Sequence, residues 1–324
     1  MAGKGIYYES QFEEATIELL REAHWQYTFG DDIHRKYTDP LIEEDLRNFL
    51  AAQYKDRDLT TSEIDGIVAN LRNTGGQNDY YALRNAFLLY RDGYDFAYSD
   101  GRDNPFRLEY IDFEHPDHNI FRCVNQFVME QGRENRRPDI LLFVNGIPVC
   151  IIELKNPTKQ NATIRDAHTQ ICTRYMRDIP ALLKYCALAV ISDGAKNALG
   201  TIYTPFEFFY EWKKIENEDK AGKGLDTLRT LIRGALSPER ILEILRDYVY
   251  FPDPTKEDDT TEIVCRYPQF FATRKLRDHI LNHLRSVGGD GKGGTYFGAT
   301  GCGKTLYYAV PCTPTGFAMQ EAIG

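Results

Sequence analysis

The stretch from Pro138 to Lys155 constrains the fold more than any other part of the chain. It reads DILLFV, then Asn145-Gly146, then IPVCIIELK. Two apolar runs flanking Asn-Gly make the strongest short-range signal for a β-hairpin, because both turn residues must take up a left-handed backbone and these two do so at least cost. Charge stands where a core strand has no need of it. Asp139 lies at the mouth of the first strand; Glu153 and Lys155 lie at the end of the second, two apart and so on one face.

That placement is a metal-site pattern. Phosphodiester hydrolysis needs a hard cation to neutralise the phosphate and to acidify the attacking water, and Mg²⁺ is typically held by one or two carboxylates with its other positions left to water and substrate. Asp139 and Glu153 would be those carboxylates, the backbone carbonyl of Leu154 a third ligand, and Lys155 the charge beside the nucleophilic water or scissile phosphate. The reading makes a geometric demand. A plain two-residue turn pairs Asp139 with Ile152 and turns Glu153 to the opposite face. One extra residue pairs Asp139 with Glu153 instead, so a three-residue or bulged turn is expected, at Gly146 or near Pro148. The plain alternative is a set of strand-end surface charges with Lys155 as their partner.

Around this hairpin the sequence predicts mixed helix and strand, hence an α/β domain. The spacing of Phe12, Ala15, Ile17, Leu19, Leu20 and Ala23 predicts an amphipathic helix over 10–26, capped by Ser10 with Glu13 as its capping-box acid. Helices are also expected near 41–54, 61–73, 79–90, 162–177, 179–185, 206–215, 238–248 and 267–285. Aromatic and β-branched runs at 106–113 and 120–129, separated by EHPDHN, suggest a second hairpin, and 187–192 a buried strand. The polar, acidic FPDPTKEDDTTE at 251–262 reads as a linker between an endonuclease domain with trailing helices at 1–250 and a further unit at 263–324.

The run RRPDILLFVNGIPVCIIELKNP resembles the nuclease motif of Type I restriction-enzyme R subunits, which are PD-(D/E)xK nucleases. ESQFEEATIELLREAHWQY, DIPALLKYCALAVISDG, GTIYTPFEFFYEWK and RYPQFFATRK resemble the same family in the same order, so the likeness spans essentially the whole chain. The resemblance implies a restriction-endonuclease-like core, a mixed sheet flanked by helices, with a metal site of Asp139 and Glu153 and a catalytic Lys155. It also implies an acid from the first helix, for which Glu13 is the best match and Glu9 and Glu14 the competitors. The family further carries a glutamine and a tyrosine four apart on the helix after ExK. Here Gln170 is followed by Tyr175, five positions on, which on an ideal helix turns the side chains apart by roughly 140° rather than about 40°. Either a π-bulge intervenes or one residue alone serves; Gln170 is then favoured, with Tyr175 a packed aromatic.

Gly298-Ala-Thr-Gly301-Cys-Gly303-Lys304-Thr305 matches the P-loop, whose glycine backbone wraps phosphate, whose Lys reaches the β- and γ-phosphates and whose Thr binds Mg²⁺. It is expected to be the truncated start of a RecA-like motor domain, with ATP as the nucleotide that the motif would bind. Nineteen residues follow Thr305, with prolines among them, and no second acidic motif or arginine finger can be assigned, so ATP hydrolysis by this chain is not expected. Gln269 would resemble an adenine-reading glutamine; the alternative is an exposed helix residue.

The family implies double-stranded DNA as substrate, modification and specificity subunits as partners, and ATP-driven translocation by the full-length subunit. The competing function is a catalytically inactive nuclease-fold module for DNA binding or subunit docking, favoured by the irregular glutamine-to-tyrosine spacing. A net charge of −9 weighs against nucleic acid, but between Arg133 and Lys184 the basic residues outnumber the acids. Seven cysteines, odd in number and never spaced as CxxC, argue against a disulfide framework or a zinc site. No run of eighteen apolar residues and no apolar leader occurs, so a cytoplasmic protein without a membrane span is expected. His115 and His118 could hold a metal, but as a loop pair lacking a third ligand they read as solvent-exposed. The tyrosine-rich 79–98 could stack bases, though aromatic stripes at helical spacing are more often core.

Overall fold

A computed structural model describes residues 3–99, 101, 105–155, 163–216, 222–252, 260–283, 285 and 288–292, with side chains from Ser10 onward. In chain order the elements are α1 (Gly3–Glu22), β1 (Gln26–Phe29), α2 (Glu43–Gln53), α3 (Thr61–Asn73), α4 (Asp79–Asp92), β2 (Tyr94–Phe96), β3 (Phe106–Leu108), β4 (Phe121–Asn125), β5 (Met129–Gln131), β6 (Glu134–Arg136), β7 (Ile140–Val144) and β8 (Ile147–Leu154). There follow α5 (Ile164–Thr169), a π-helical turn (Gln170–Tyr175), α6 (Met176–Asp178), α7 (Pro180–Leu183), β9 (Leu188–Ser192), β10 (Asn197–Gly200), α8 (Leu225–Leu231), a second π turn (Ile232–Leu236), α9 (Pro238–Asp247), β11 (Val249–Tyr250), β12 (Ile263–Val264) and α10 (Tyr267–His283).

The centre is a mixed sheet in the order β1-β4-β7-β8-β9-β10. β1 with β4 and β8 with β9 are parallel pairs; the other neighbours are antiparallel. Every residue of β7, β8 and β9 is buried. Side chains alternate across a strand, so both faces of the central sheet are covered. That is why these strands read as continuous apolar runs rather than alternating ones.

The β7–β8 hairpin turns through Asn145 and Gly146, with φ of 50° and 76°, the left-handed pair that Asn-Gly supplies. Gly146 has a second reason to lack a side chain: a Cβ there would meet the Ile42 carbonyl oxygen at 2.1 Å. The register shifts inside the hairpin. Val144 pairs with Ile147 and Phe143 with Pro148, but Leu142 pairs with Cys150, so Val149 is the extra residue of a bulge. The bulge demanded by the two acids is therefore present, beside Pro148.

Several sequence expectations are corrected. The first helix starts at Gly3 rather than at Ser10, so Ser10 is an exposed helix-interior residue and Glu13 is not a capping-box acid. No breaker separates Gly5 from Ser10, and a solvent-facing Ser inside a helix costs little. The 106–113 and 120–129 runs do not pair with each other: β3 pairs with β2, and β4 lies between β1 and β7. A mostly buried strand such as β4 needs ladder partners on both sides, and β7 and β1 offer them. The expected helix at 206–215 is only a short 3₁₀ turn at Phe206–Phe208. Beyond it the chain is extended and bridges Tyr210 to Leu199, because Trp212 is drawn under α10 against Phe270.

The flanks of the acidic 251–262 stretch are joined, Val249 pairing with Val264 and Tyr250 with Ile263. The P-loop residues Gly298, Gly301, Gly303, Lys304 and Thr305 lie outside the described residues. Cys123, Cys150, Cys172, Cys186 and Cys265 are free thiols. No helix among the described residues is long and apolar enough to cross a membrane.

Candidate functional site

Carrying the β7–β8 register one step past Ile140↔Ile152 sets Asp139 opposite Glu153. The Leu154 N–H donates to Asp139 Oδ2 at 2.7 Å, which ties the acid at the strand mouth to the strand end that carries its partner. Glu153 lies almost wholly buried, and its carboxyl group sits against that of Asp139. Burial pushes the Glu153 carboxyl well above the usual carboxylate range, the Asp139 charge pushes the same way, and Lys155 only partly offsets them. Two facing carboxyl groups in a buried setting are stable only with a proton or a cation between them.

Lys155 Nζ donates to Glu153 Oε1 at 2.7 Å and to Gln170 Oε1 at 2.8 Å. Its backbone N–H is pinned to the Ser192 carbonyl of β9 at 2.7 Å. The ammonium is thus held on two sides while its stem emerges from the sheet. Gln170 continues the chain of contacts by donating from Nε2 to the Tyr175 hydroxyl at 2.7 Å. That bond is possible because Gln170–Tyr175 is a π turn. Its i→i+5 pairing brings a residue five positions on back to the same face, so of the two alternatives the π-bulge is the one present, and both side chains stand beside Lys155 and Glu153. Tyr175 is buried, which raises its hydroxyl pKa, and Glu153 nearby raises it further.

The segment carrying this turn is seated by its start. Thr163 and Asp166 form a capping box, with Thr163 N–H donating to Asp166 Oδ2 at 2.7 Å.

From α1, Glu13 reaches the end of β4. It accepts from Asn125 Nδ2 at 2.7 Å and from Gln126 Nε2 at 2.9 and 3.0 Å. Gln126 in turn donates its backbone N–H to the Asp139 carbonyl at 3.3 Å. Among the described side chains of α1, Glu13 is therefore the acid tied to the strand mouth, whereas Glu14 is exposed; the Glu9 side chain lies outside the described residues. The linking residue Gln126 was not foreseen. Its φ of 54° is a backbone feature that side-chain patterning does not signal.

The carboxyl pair passes a test of fit for a divalent cation. Glu153 Oε2 is buried and has no donor among the described residues, and an unsatisfied buried carboxylate oxygen is costly unless something positive meets it. An all-oxygen set suits a hard cation such as Mg²⁺. Gln269, the candidate base-reading residue, is buried rather than exposed. Its Oε1 accepts from the Arg266 N–H at 2.7 Å, and it lines a cavity of about 480 Å³ with Tyr203, Tyr210, Glu262 and Arg266.

Residues 6–208 match the family described as Type I restriction enzyme R protein N terminus. The chain is 28% identical over 316 residues to the Type I restriction enzyme HindI endonuclease subunit of Haemophilus influenzae, over 93% of this chain and 30% of that protein. It is 24% identical over 272 residues to the SsaAORF53P endonuclease subunit of Staphylococcus saprophyticus, over 81% of this chain and 26% of that one. It is 28% identical over 202 residues to the EcoprrI endonuclease subunit of Escherichia coli, over 60% of this chain and 59% of that protein. The chain thus spans about 30% of the length of the HindI subunit. With its hairpin, its carboxyl pair and the larger part of its length inside the matched segment, the chain belongs to the family of Type I restriction enzyme R protein N termini.

Proposed function

We propose that this chain is the DNA-cleaving part of the restriction subunit of a Type I system, a PD-(D/E)xK nuclease that hydrolyses DNA phosphodiesters with Mg²⁺. The observation that carries the proposal is the convergence of Asp139, Glu153 and Lys155 at one end of the β7–β8 hairpin, with Lys155 Nζ bonded to both Glu153 and Gln170. Asp139, Glu153 and the Leu154 carbonyl would hold the cation, which when bound neutralises phosphate charge and acidifies an attacking water. Lys155 places a fixed positive charge where negative charge develops, and Gln170 orients it. Tyr175 restrains Gln170. Glu13, bound through Gln126 to the Asp139 backbone, steadies the strand mouth and adds negative charge near the cation.

Arg137, Arg165 and Arg174 are exposed on the segments flanking the cluster, which suits a polyanionic substrate despite the acidic chain as a whole. In the full-length subunit Gly298, Gly301, Gly303, Lys304 and Thr305 would cradle ATP phosphates, Gln269 would face the base, and modification and specificity subunits would supply sequence recognition. The rival reading, an inactive docking module, rested on the five-residue spacing of Gln170 and Tyr175, and the π turn accommodates that spacing.

The test uses the full-length subunit with its partner subunits, DNA, ATP and Mg²⁺. Lys155→Ala is expected to lower cleavage by about 10²-fold or more while ATP-driven translocation persists. Cleavage at the wild-type rate by Lys155→Ala would overturn the assignment, and the absence of cleavage by the wild type would favour the docking module.

A further inference from the structure

The loop between β3 and β4 carries Asp112, His115 and His118, each three residues after the last. The structure supplies the third ligand that the histidine pair lacked in the sequence. His118 Nδ1 lies 2.9 Å and His115 Nδ1 3.3 Å from the same oxygen, Asp112 Oδ2. The two rings stack with centroids 4.8 Å apart. Among the described residues this is the one cluster of His, Cys, Asp or Glu side chains in which three ligand atoms lie within 4.8 Å of one another. It sits at the turn end of the β7–β8 hairpin. The 5 residues of β7 separate it from Asp139, about 16 Å at roughly 3.3 Å per residue.

We propose that Asp112, His115 and His118 form a second metal site, taking a transition-metal dication of the zinc class and independent of the Asp139–Glu153 pair. Two imidazoles with one carboxylate are a donor set that zinc, nickel and copper prefer and magnesium does not. At metal–ligand bonds of about 2.0–2.2 Å, ligand atoms on a tetrahedral ion stand about 3.4 Å apart. The Asp112–histidine separations are within a few tenths of an ångström of that. The histidine side chains are 63% and 49% exposed, so the rings can turn to close the remaining gap without moving the backbone. A water completes the fourth position, as at other three-ligand sites.

The carboxylate, in contrast, is fixed. Asp112 is 4% exposed; its Oδ1 accepts from the backbone N–H groups of Glu114 and His115 at 3.0 and 2.9 Å, and Oδ2 from Gln53 Nε2 at 2.9 Å. Burial acts to raise the Asp112 carboxyl, but these donors and His118 outweigh it and hold the group below the usual carboxylate range, so it is ionised at neutral pH. The loop is itself anchored to the hairpin turn. Asn119 Oδ1 accepts from Asp112 N–H and from the buried Asn145 Nδ2, at 2.9 and 2.8 Å. A rigid carboxylate with outer contacts already made, facing two mobile imidazoles, is an arrangement that orders on metal binding.

The whole chain is titrated with Co²⁺, followed by visible absorption, and then with Zn²⁺ as competitor. A tetrahedral cobalt band saturating at one equivalent and displaced by Zn²⁺ is expected. It should persist in Asp139→Asn/Glu153→Gln, weaken at least about tenfold in affinity in His115→Ala, and vanish in His115→Ala/His118→Ala. Both histidines are exposed, and an unchanged metal-free urea midpoint would show that the double variant is folded. Absence of the band in the wild type, its survival in the histidine double variant, or its loss on replacing Asp139 and Glu153 would each overturn the proposal. None of these outcomes depends on cleavage, so they are separable from the test of the nuclease.

Discussion

At the scale of single residues, Glu153 and Glu262 are both almost wholly buried, on different terms. Glu153 has a lysine, a facing carboxyl group and a candidate cation to account for it. Glu262 has none of these: both its carboxylate oxygens are buried without a hydrogen-bond partner among the described residues. Burial pushes its carboxyl well above the usual range, and the Thr201 hydroxyl beside it only partly offsets the shift. A folded-state pKa raised above the unfolded value of about 4.3 means that the native state holds the proton longer, so the contribution to stability is full below that pH and is lost as pH rises through the folded pKa. Glu262→Gln removes the loss. Urea unfolding of the two proteins should give similar midpoints near pH 4, with the variant pulling ahead as pH rises by up to about 1.4 kcal/mol per pH unit. A constant difference between pH 5 and pH 8 would show that the group titrates normally and is not buried as charge.

At the scale of elements, the legibility of the chain follows from how local each signal is. The β7–β8 hairpin, its Asn-Gly turn and even its bulge were readable, because a period of two residues and a parity requirement leave few solutions. α3 matched its expected span because Thr60 and Glu63, three residues apart, form a capping box within one helical turn. The 106–129 region was misread because strand partnership is decided across the molecule: β4 chose β1, about a hundred residues earlier. The Gln170–Tyr175 turn lies between these cases, since the sequence displays an extra residue but not where the helix absorbs it. That gives an element-scale prediction. Thr173 is exposed within the π turn, and deleting it should convert the turn to regular α-helix and leave Gln170 and the tyrosine four apart, about 40° from alignment and so still on one face. If the proposed nuclease reading holds, cleavage by the deletion variant of the full-length subunit should stay within about threefold of wild type, because a π turn is in effect a one-residue insertion into an α-helix. If cleavage is abolished while translocation continues, the π geometry itself orients Gln170 on Lys155.

At the scale of the molecule, the question is how far the core extends beyond the sheet. α10 lies on the far side of the acidic 251–262 stretch, yet its Phe270 is fully buried. The ring meets Trp212 at 5.5 Å and Tyr248 at 4.9 Å between centroids. Trp212 belongs to the extended segment after β10, and Tyr248 closes α9, so one aromatic side chain joins three parts of the chain that are distant in sequence. Arg274 and Arg277 of the same helix pair with Glu243 of α9 at 3.4 and 3.7 Å. Such partly exposed ion pairs add little compared with the ring. Removing a buried aromatic costs the lost transfer free energy plus the cavity left behind, about 3–5 kcal/mol for Phe→Ala. Phe270→Ala should therefore lower the urea midpoint of the main unfolding transition, the one reported by Trp25 and by protection of the β7–β9 amides, and not only a separate early transition. The carboxyl pair lies on other elements, so the proposed divalent-cation binding at Asp139 and Glu153 should be unchanged under conditions where the variant remains folded. If the main transition does not move, α10 unfolds as a unit of its own, and the core that supports the candidate nuclease site ends before residue 252.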